Sequence, residues 1–227
     1  MLLSAPHNFA FIHVPKTAGS SVYGALGPYA NQPNAYLPNR LLAHLGIRIN
    51  HFAPWPHTKF RPHASVAVLR AWLPRPIFDS LFKFAFVRNP WDLLVSYWHY
   101  LRTKPDHRRS RIARSLPSFE AYIDYEIQRG EFTQSSLLCS RDGRLLVDFV
   151  GRYESLASDF DFICRRIGIE ASLPHVNTTS RGDYRDYYTP PLAARVAEAF
   201  ADDVERFGYT FADGARTRLA MPLPRAA

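Results

Sequence analysis

Cysteine is nearly absent: the 227 residues contain two, Cys139 and Cys164. They form no C-x-x-C pair, which excludes a disulfide-stapled scaffold and a cysteine-rich zinc site. Long apolar runs are missing as well, and none approaches the roughly 20 residues a membrane-spanning helix needs. Met1-Leu2-Leu3-Ser4-Ala5-Pro6 has no basic n-region and leads into no long apolar core. A secretory signal is therefore not expected, and a reducing cytoplasm is the expected setting. Acidic side chains are in the minority: 20 Asp and Glu face 28 Lys and Arg, a net charge of +8. This balance favours anionic partners such as nucleotides, acidic glycans, nucleic acid or a membrane surface, and it equally suits plain surface charge. Internal repeats and low-complexity blocks are absent too.

What is present is a globular composition. Hydrophobic residues make up 47% of the chain, enough for a sizeable core and too many for a disordered chain. Residues 8–14 (NFAFIHV) and 82–87 (FKFAFV) read as buried strands. Residues 15–19 form a turn, and 20–26 a helix stopped by Gly27 and Pro28. A short helix is expected near 39–45 and another over 65–73. Asn89 suits an N-cap, Pro90 the first helical position and Asp92 the first turn; Leu93, Leu94, Tyr97 and Leu101 follow at helical spacing. Residues 102–114 hold six basic residues against Asp106 and read as an exposed loop or a mobile basic segment; such a segment can steer an acidic glycan or a nucleotide, though a solvated charged loop is the plainer reading. Ser118 caps a helix reaching about 129. Residues 145–153 read as one or two strands, 156–167 as a helix ended by Gly168, 172–188 as a polar loop and 191–207 as one amphipathic helix. The alternation implies an α/β fold with a central parallel sheet covered by helices. One domain over 1–211 and a disordered tail over 212–227 are expected.

Two segments carry chemistry. Val14-Pro15-Lys16-Thr17-Ala18-Gly19-Ser20-Ser21 follows a buried strand and opens a helix. That context offers unpaired backbone N–H groups and the positive end of a helix dipole to an anion. Lys16 adds a charge, Thr17, Ser20 and Ser21 add hydroxyls, and Gly19 permits close approach. The spacing is not that of G-x-x-x-x-G-K-[ST], and an ordinary turn with an exposed lysine fits the same residues. In the second segment Arg88 stands at the C-terminal end of a strand, where open α/β sheets bind ligands. Its guanidinium can hold a phosphate in bidentate fashion, or pair with a nearby carboxylate. Ser96 lies about two turns into the following helix.

These segments, VPKTAGSS and FAFVRNPWDLLVSYWHY, resemble the PAPS-dependent sulfotransferases (PAPS is 3′-phosphoadenosine 5′-phosphosulfate). The resemblance is narrower to the family 2 carbohydrate enzymes, relatives of the heparan sulfate 2-O-sulfotransferases. It continues through FVGRYESLASDF, LPHVNTTSR, YRDYYTPPL and DDVERFGYTF. It implies a P-loop-like three-layer α/β fold. Carried over by position, it implies that Lys16, Thr17, Ala18, Gly19, Ser20 and Ser21 hold the 5′-phosphosulfate and that Arg88 and Ser96 hold the 3′-phosphate. Arg152, Asn177, Ser180, Arg181 and Tyr184 match late segments near the nucleotide.

The implied reaction is sulfuryl transfer from PAPS to a hydroxyl of a carbohydrate or glycoconjugate acceptor, releasing PAP. Lys16 would stabilise charge in the transition state, and a histidine near neutrality would take the acceptor proton. Among nine histidines, His63 in Pro62-His63-Ala64-Ser65 matches the family region best. His51 and His57 are runners-up, His13 reads better as a buried histidine, His99 as packing or solvent-facing, and Glu154 is a weaker alternative base. No metal is expected. Three rivals stay open: a P-loop-type kinase, a non-catalytic nucleotide- or glycan-binding module on the same scaffold, and a nucleic-acid binder, for which no motif is present.

Overall fold

The computed structural model describes residues 1–31, 62–130, 133–174 and 182–212, with positions 37, 41, 44 and 45. Of the helix expected near 39–45 only positions 41, 44 and 45 are described; its other residues, His51, His57, Asn177, Ser180, Arg181 and the tail from 213 onward fall outside the described residues.

Strands β1 (Leu2–Ser4), β2 (Phe9–Ile12), β3 (Phe82–Val87) and β4 (Phe149–Arg152) form one sheet in the order β1-β2-β3-β4. Strands β2, β3 and β4 run parallel, with Phe11 opposite Phe84 and Phe84 opposite Phe149. The parallel sheet expected from the sequence is thus present, with one addition: β1 pairs antiparallel on the edge, Leu3 opposite Ala10.

Both faces of the sheet are buried, and the alternation along each strand decides which side chain goes where. Phe9, Phe11, Phe84 and Phe86 point to one face, against Val22 and Leu26 of α1 (Gly19–Leu26) and Phe160, Ile163 and Ile167 of α8 (Leu156–Ile167). These four phenylalanines have no exposed surface, each burial contributing about 1.5–3 kcal/mol. Ala10, Ile12, Ala85, Val87 and Val150 point to the other face. There they meet α2 (Val66–Trp72), α4 (Pro90–Thr103), α6 (Phe119–Arg129) and α9 (Pro190–Ala199). The smaller strand side chains leave room for Trp91, Trp98 and Tyr122.

The helix starts follow local chemistry. Asn89 accepts from Trp91 N at 3.1 Å, Ser118 from Ala121 N at 3.1 Å and Thr189 from Leu192 N at 3.4 Å, each relieving an amide the helix itself cannot satisfy. Gly130 and Gly168 end α6 and α8 in the left-handed region, where a side chain would be strained.

Several expectations are corrected. Residues 102–114 are not one loop: α4 continues to Thr103, and α5 (Ser110–Ser115) follows a turn. Buried Ser110 and Ala113 anchor α5, and Arg109 is drawn in beside Glu126. Residues 145–153 hold one strand, β4, within the one or two expected, plus a bridge between Leu145 and Cys139. The helix expected over 191–207 breaks at Phe200 into α9 and α10 (Ala201–Phe207). In the polar, turn-rich loop expected over 172–188, the described residues include a three-ten turn, Tyr184–Tyr187, in keeping with that reading. Helices α3 (Arg75–Ser80) and α7 (Gln134–Leu138) had no clear sequence signal. Among the described residues, no helix is long and apolar enough to cross a membrane.

Candidate active site

The C-terminal ends of β2, β3 and β4 lie side by side, and the segments leaving them surround a cleft of about 980 Å³. This is where parallel sheets place ligands, and the size is at the upper end for a small-molecule site.

After β2 the chain turns through Lys16 and Ala18, both in the left-handed region at φ 67° and 62°. Non-glycine residues are costly there, about 1–2 kcal/mol each, and such conformations cluster at functional sites. The turn is fixed by Thr17, whose Oγ1 donates to Val14 O at 2.8 Å from a fully buried position. Thr17 therefore shapes the loop and does not line the cleft, whereas Lys16, Ala18, Gly19, Ser20 and Ser21 do. No side chain caps α1, and Ser21 N–H already donates to Ala18 O at 3.0 Å, so the amides of Gly19 and Ser20 are the ones left for the cleft to satisfy. Lys16 Nζ lies 4.1 Å from the centre of the Tyr100 ring, a cation–π contact. Gly19 is required by packing: a Cβ there would meet His13 Nε2 at 1.8 Å.

After β3, Arg88 is held on several sides. Its Nε donates to Asp92 Oδ2 at 2.7 Å, its Nη2 reaches the same oxygen at 2.6 Å, and its Nη1 donates to Lys16 O at 3.1 Å. Its guanidinium lies 3.7 Å from the centre of the Tyr153 ring. A guanidinium has five N–H donors; these three contacts leave one on each terminal nitrogen, which matches the two oxygens of a phosphate. The carboxylate pairing foreseen as the plainer reading is thus real, and Arg88 still lines the cleft together with Ser96.

The backbone of Arg88 is clamped as well. Gln134 accepts from its N–H at 2.8 Å and donates to its carbonyl at 2.7 Å. Asp203 in turn accepts from the backbone N–H groups of Gln134 and Ser135 at 2.7 and 2.8 Å. Sequence reasoning missed this chain of contacts, because its members are far apart along the polypeptide.

His63 and His13 meet at one side of the cleft, with ring centroids 4.5 Å apart. His63 Nδ1 lies 3.2 Å from His13 O. If Nδ1 carries the proton it donates to that carbonyl, and Nε2 is then the basic nitrogen. Burial lowers the His63 pKa, partly countered by the hydrogen bond to the His13 carbonyl. Burial first, and the neighbouring His63 second, push the His13 pKa down to about 3. Both rings are therefore neutral near pH 7, and His13 resists taking a proton.

Other candidates lie elsewhere. Glu154 accepts from Asn89 N at 2.8 Å and Tyr209 Oη at 3.0 Å, away from the cleft, and burial raises its pKa. His99 Nε2 is 2.7 Å from Tyr187 Oη, and Tyr188 donates to Trp91 O at 2.9 Å. Tyr184 donates to Phe211 O at 2.7 Å. These tyrosines pack the late loop onto α4 and the following chain. Arg152 donates to Phe207 O and lies 4.7 Å from the centre of the Tyr209 ring. Cleft residues not foreseen include Tyr97, Tyr100, Arg129 and Tyr153. For Tyr97, Tyr100 and Arg129 the signal was present but weak, aromatics and a cation at the helical spacing of α4 and α6; Tyr153 stands in the turn after β4.

Comparisons to known proteins bear on the family and the fold. A model of the Sulfotransferase family matches residues 1–210. An uncharacterized protein of Archaeoglobus fulgidus is 28% identical over 122 residues, covering 52% of this chain and 94% of its own. Mouse sulfotransferase SULT7A1, solved in complex with PAP, shares the fold with a TM-score of 0.52 and 16% identity, covering 89% of this chain and 86% of its own. With the family model spanning the loop after β2, the arginine after β3 and the late segments alike, the chain belongs to the Sulfotransferase family.

Proposed function

We propose that this enzyme moves the sulfuryl group of PAPS to a hydroxyl of a carbohydrate-containing acceptor and releases PAP. The observation that carries the reading is the convergence of two anion-binding elements, the Lys16–Ser21 loop and Arg88 with Ser96, on a cleft also lined by His63. A nucleotide with anionic groups on both its 3′ and 5′ sides calls for two such elements. The open N-terminus of α1 and the two remaining N–H groups of Arg88 fit that demand.

PAPS supplies an activated sulfuryl group on a phosphate leaving group. Lys16 and the α1 amides oppose charge that develops on the oxygens of that group, a role whose loss typically costs about 10²–10³ in rate. Ser20 and Ser21 orient it through their hydroxyls. Arg88 and Ser96 hold the far phosphate, fixing the register of the nucleotide. His63 accepts the acceptor proton, and the His13 carbonyl beside Nδ1 orients its ring. The carbohydrate nature of the acceptor rests on the resemblance alone.

The test is thermal stability with PAP beside AMP and ATP–Mg²⁺, followed by turnover of PAPS in the wild type and His63→Ala. Ligand at about 100 times its Kd adds about 2.7 kcal/mol. Stabilisation by PAP above AMP, with turnover lost but PAP binding kept in His63→Ala, is expected. Stabilisation by ATP–Mg²⁺ in place of PAP would overturn the proposal in favour of a phosphotransferase. Full activity in His63→Ala would move the base to another residue.

A further inference from the structure

Lys16 and Arg88, the two cations of the proposed donor site, share one feature: each lies against the face of a tyrosine ring. Lys16 Nζ is 4.1 Å from the centre of the Tyr100 ring, and the Arg88 guanidinium is 3.7 Å from the centre of the Tyr153 ring. All four residues line the same cleft. The fold sets both contacts. The parallel register places Val87 opposite Arg152, so the next residues, Arg88 and Tyr153, leave adjacent strand ends side by side. Tyr100 stands four residues after Ser96 on α4, one turn further along the same face. Its ring is backed by the His107 ring, edge to face at 5.7 Å between centroids. Among the described residues neither tyrosine hydroxyl has a hydrogen-bond partner, so the aromatic face is what each side chain contributes.

A cation that stabilises developing charge helps most when it already points at that charge. Lysine is poorly suited to this by itself, because its ammonium rides on a flexible four-carbon stem. A carboxylate would hold such a cation, but it would also cancel the charge and repel the incoming anion. A ring attracts the cation through its quadrupole and carries no net charge. It covers one side of the cation and leaves the N–H groups on the other side to a ligand. At Arg88 the two devices act in different directions. Asp92 takes an edge of the guanidinium, and Tyr153 takes a face.

We propose that Tyr100 and Tyr153 are positioning residues: Tyr100 aims Lys16 at the transferring sulfuryl group, and Tyr153 aims Arg88 at the 3′-phosphate. The inference rests on the sulfuryl-transfer reading for the identity of the two anions. The ring contacts themselves stand apart from that reading.

The experiment replaces each tyrosine by Phe, which keeps the ring, and by Leu, which removes it. PAP and AMP binding are titrated by calorimetry, and release of PAP from saturating PAPS is followed with water as the acceptor. Tyr153→Leu is expected to weaken PAP binding about 3- to 30-fold, the range of a cation–π contact, with AMP binding within about twofold of wild type. Tyr100→Leu is expected to slow PAP release about 3- to 30-fold, with a smaller loss of PAP affinity. Both Phe variants should stay within about twofold of wild type. Equal losses of PAP and AMP binding in Tyr153→Leu would place that ring on the nucleoside and overturn its role on Arg88. Phe variants as impaired as the Leu variants, or Leu variants that bind and turn over as wild type, would overturn the role of the ring faces. Ring-current shifts give a readout that needs no nucleotide. The chain has four lysines, and the NMR signal of isotopically methylated Lys16 should lie upfield in wild type and Tyr100→Phe and lose that shift in Tyr100→Leu. The Arg88 Nε–H signal should follow Tyr153 in the same way. A wild type that ignores PAP would sink the sulfuryl-transfer reading, while absent ring shifts would sink the positioning itself.

Discussion

Gly19→Ala tests whether the loop and the histidine pair are one packed unit. Gly19 does not have positive φ, so the backbone accepts alanine there. With nothing in the way, the substitution would stabilise the protein by about 0.4–1 kcal/mol through the unfolded chain. The structure predicts the opposite sign. The added Cβ would lie 1.8, 2.3 and 2.6 Å from His13 Nε2, Cδ2 and Cε1. The His13 ring has little room to yield, because Tyr23, Phe11 and His63 surround it at centroid distances of 5.3, 5.8 and 4.5 Å. Overpacking of this kind costs about 1–3 kcal/mol, so a net loss of about 1–2 kcal/mol is expected after the entropic gain. At this chain length each kcal/mol lowers Tm by about 2–4 °C. PAP affinity should fall as well, since the displaced ring or loop lines the cleft proposed to hold it. Urea denaturation of wild type, Gly19→Ala, His13→Ala and the double variant gives the decisive cycle. Truncating His13 removes the clash, so the double variant should be more stable than additivity allows by about 1–3 kcal/mol. A Gly19→Ala protein as stable as wild type, with an additive double variant, would refute the packing.

Three further outcomes follow from the same contacts. Arg88→Ala should weaken PAP binding about 10- to 100-fold, the worth of about 1.5–3 kcal/mol for hydrogen bonds to a charged group, while AMP binding, lacking the 3′-phosphate, falls much less in calorimetric titration. Asp203→Ala removes the carboxylate that caps Gln134 and Ser135 and should cost about 2–4 kcal/mol by denaturant unfolding; it should also weaken PAP binding, because Gln134 clamps Arg88. The pH dependence has a definite sign. His13 binds its proton near pH 3 in the folded protein and near 6.5 in the unfolded chain, so the unfolded state holds more protons between those values. Stability attributable to His13 is complete above about pH 6.5 and is lost as pH falls toward 3, up to about 2 kcal/mol by pH 5. His63 acts in the same direction. His13→Gln should therefore lose less stability than wild type between pH 7.5 and 5, and equal losses would contradict the buried, neutral ring.

Local signals carried much of the fold and one half of the site. The aromatic strand over Phe82–Val87, the Asn89-Pro90 helix start and the Gly168 stop are each written in a few adjacent residues, and each is where it was expected. The misreadings share a cause. Helix α5 was taken for loop because SRIARS is short and its surroundings are basic; its position depends on Ser110 and Ala113 packing inward and on the Arg109–Glu126 pair, whose members are 17 residues apart. The break at Phe200 is invisible to periodicity, since Val196 and Phe207 on either side are both buried. Thr17 looked like a ligand hydroxyl because sequence cannot show that Val14 O lies within reach.

What the sequence could not show is that the two proposed anion elements are mechanically one. Arg88 Nη1 donates to the carbonyl of Lys16, whose own backbone is held at positive φ. Asp92 fixes the other edge of the same guanidinium, and Gln134, itself seated on Asp203, fixes its backbone. An anion that engages the free N–H groups of Arg88 therefore restrains the strained turn 72 residues away in the chain. The partner carboxylate lowers the net charge of the site, yet it aims the guanidinium, and orientation matters more than charge for a ligand that must present two groups in a fixed register. On this argument Asp92→Asn, which keeps the shape and removes the ion pair, should weaken PAP binding although it makes the cleft more positive. A gain in affinity instead would show that charge, and not the held geometry, governs the site.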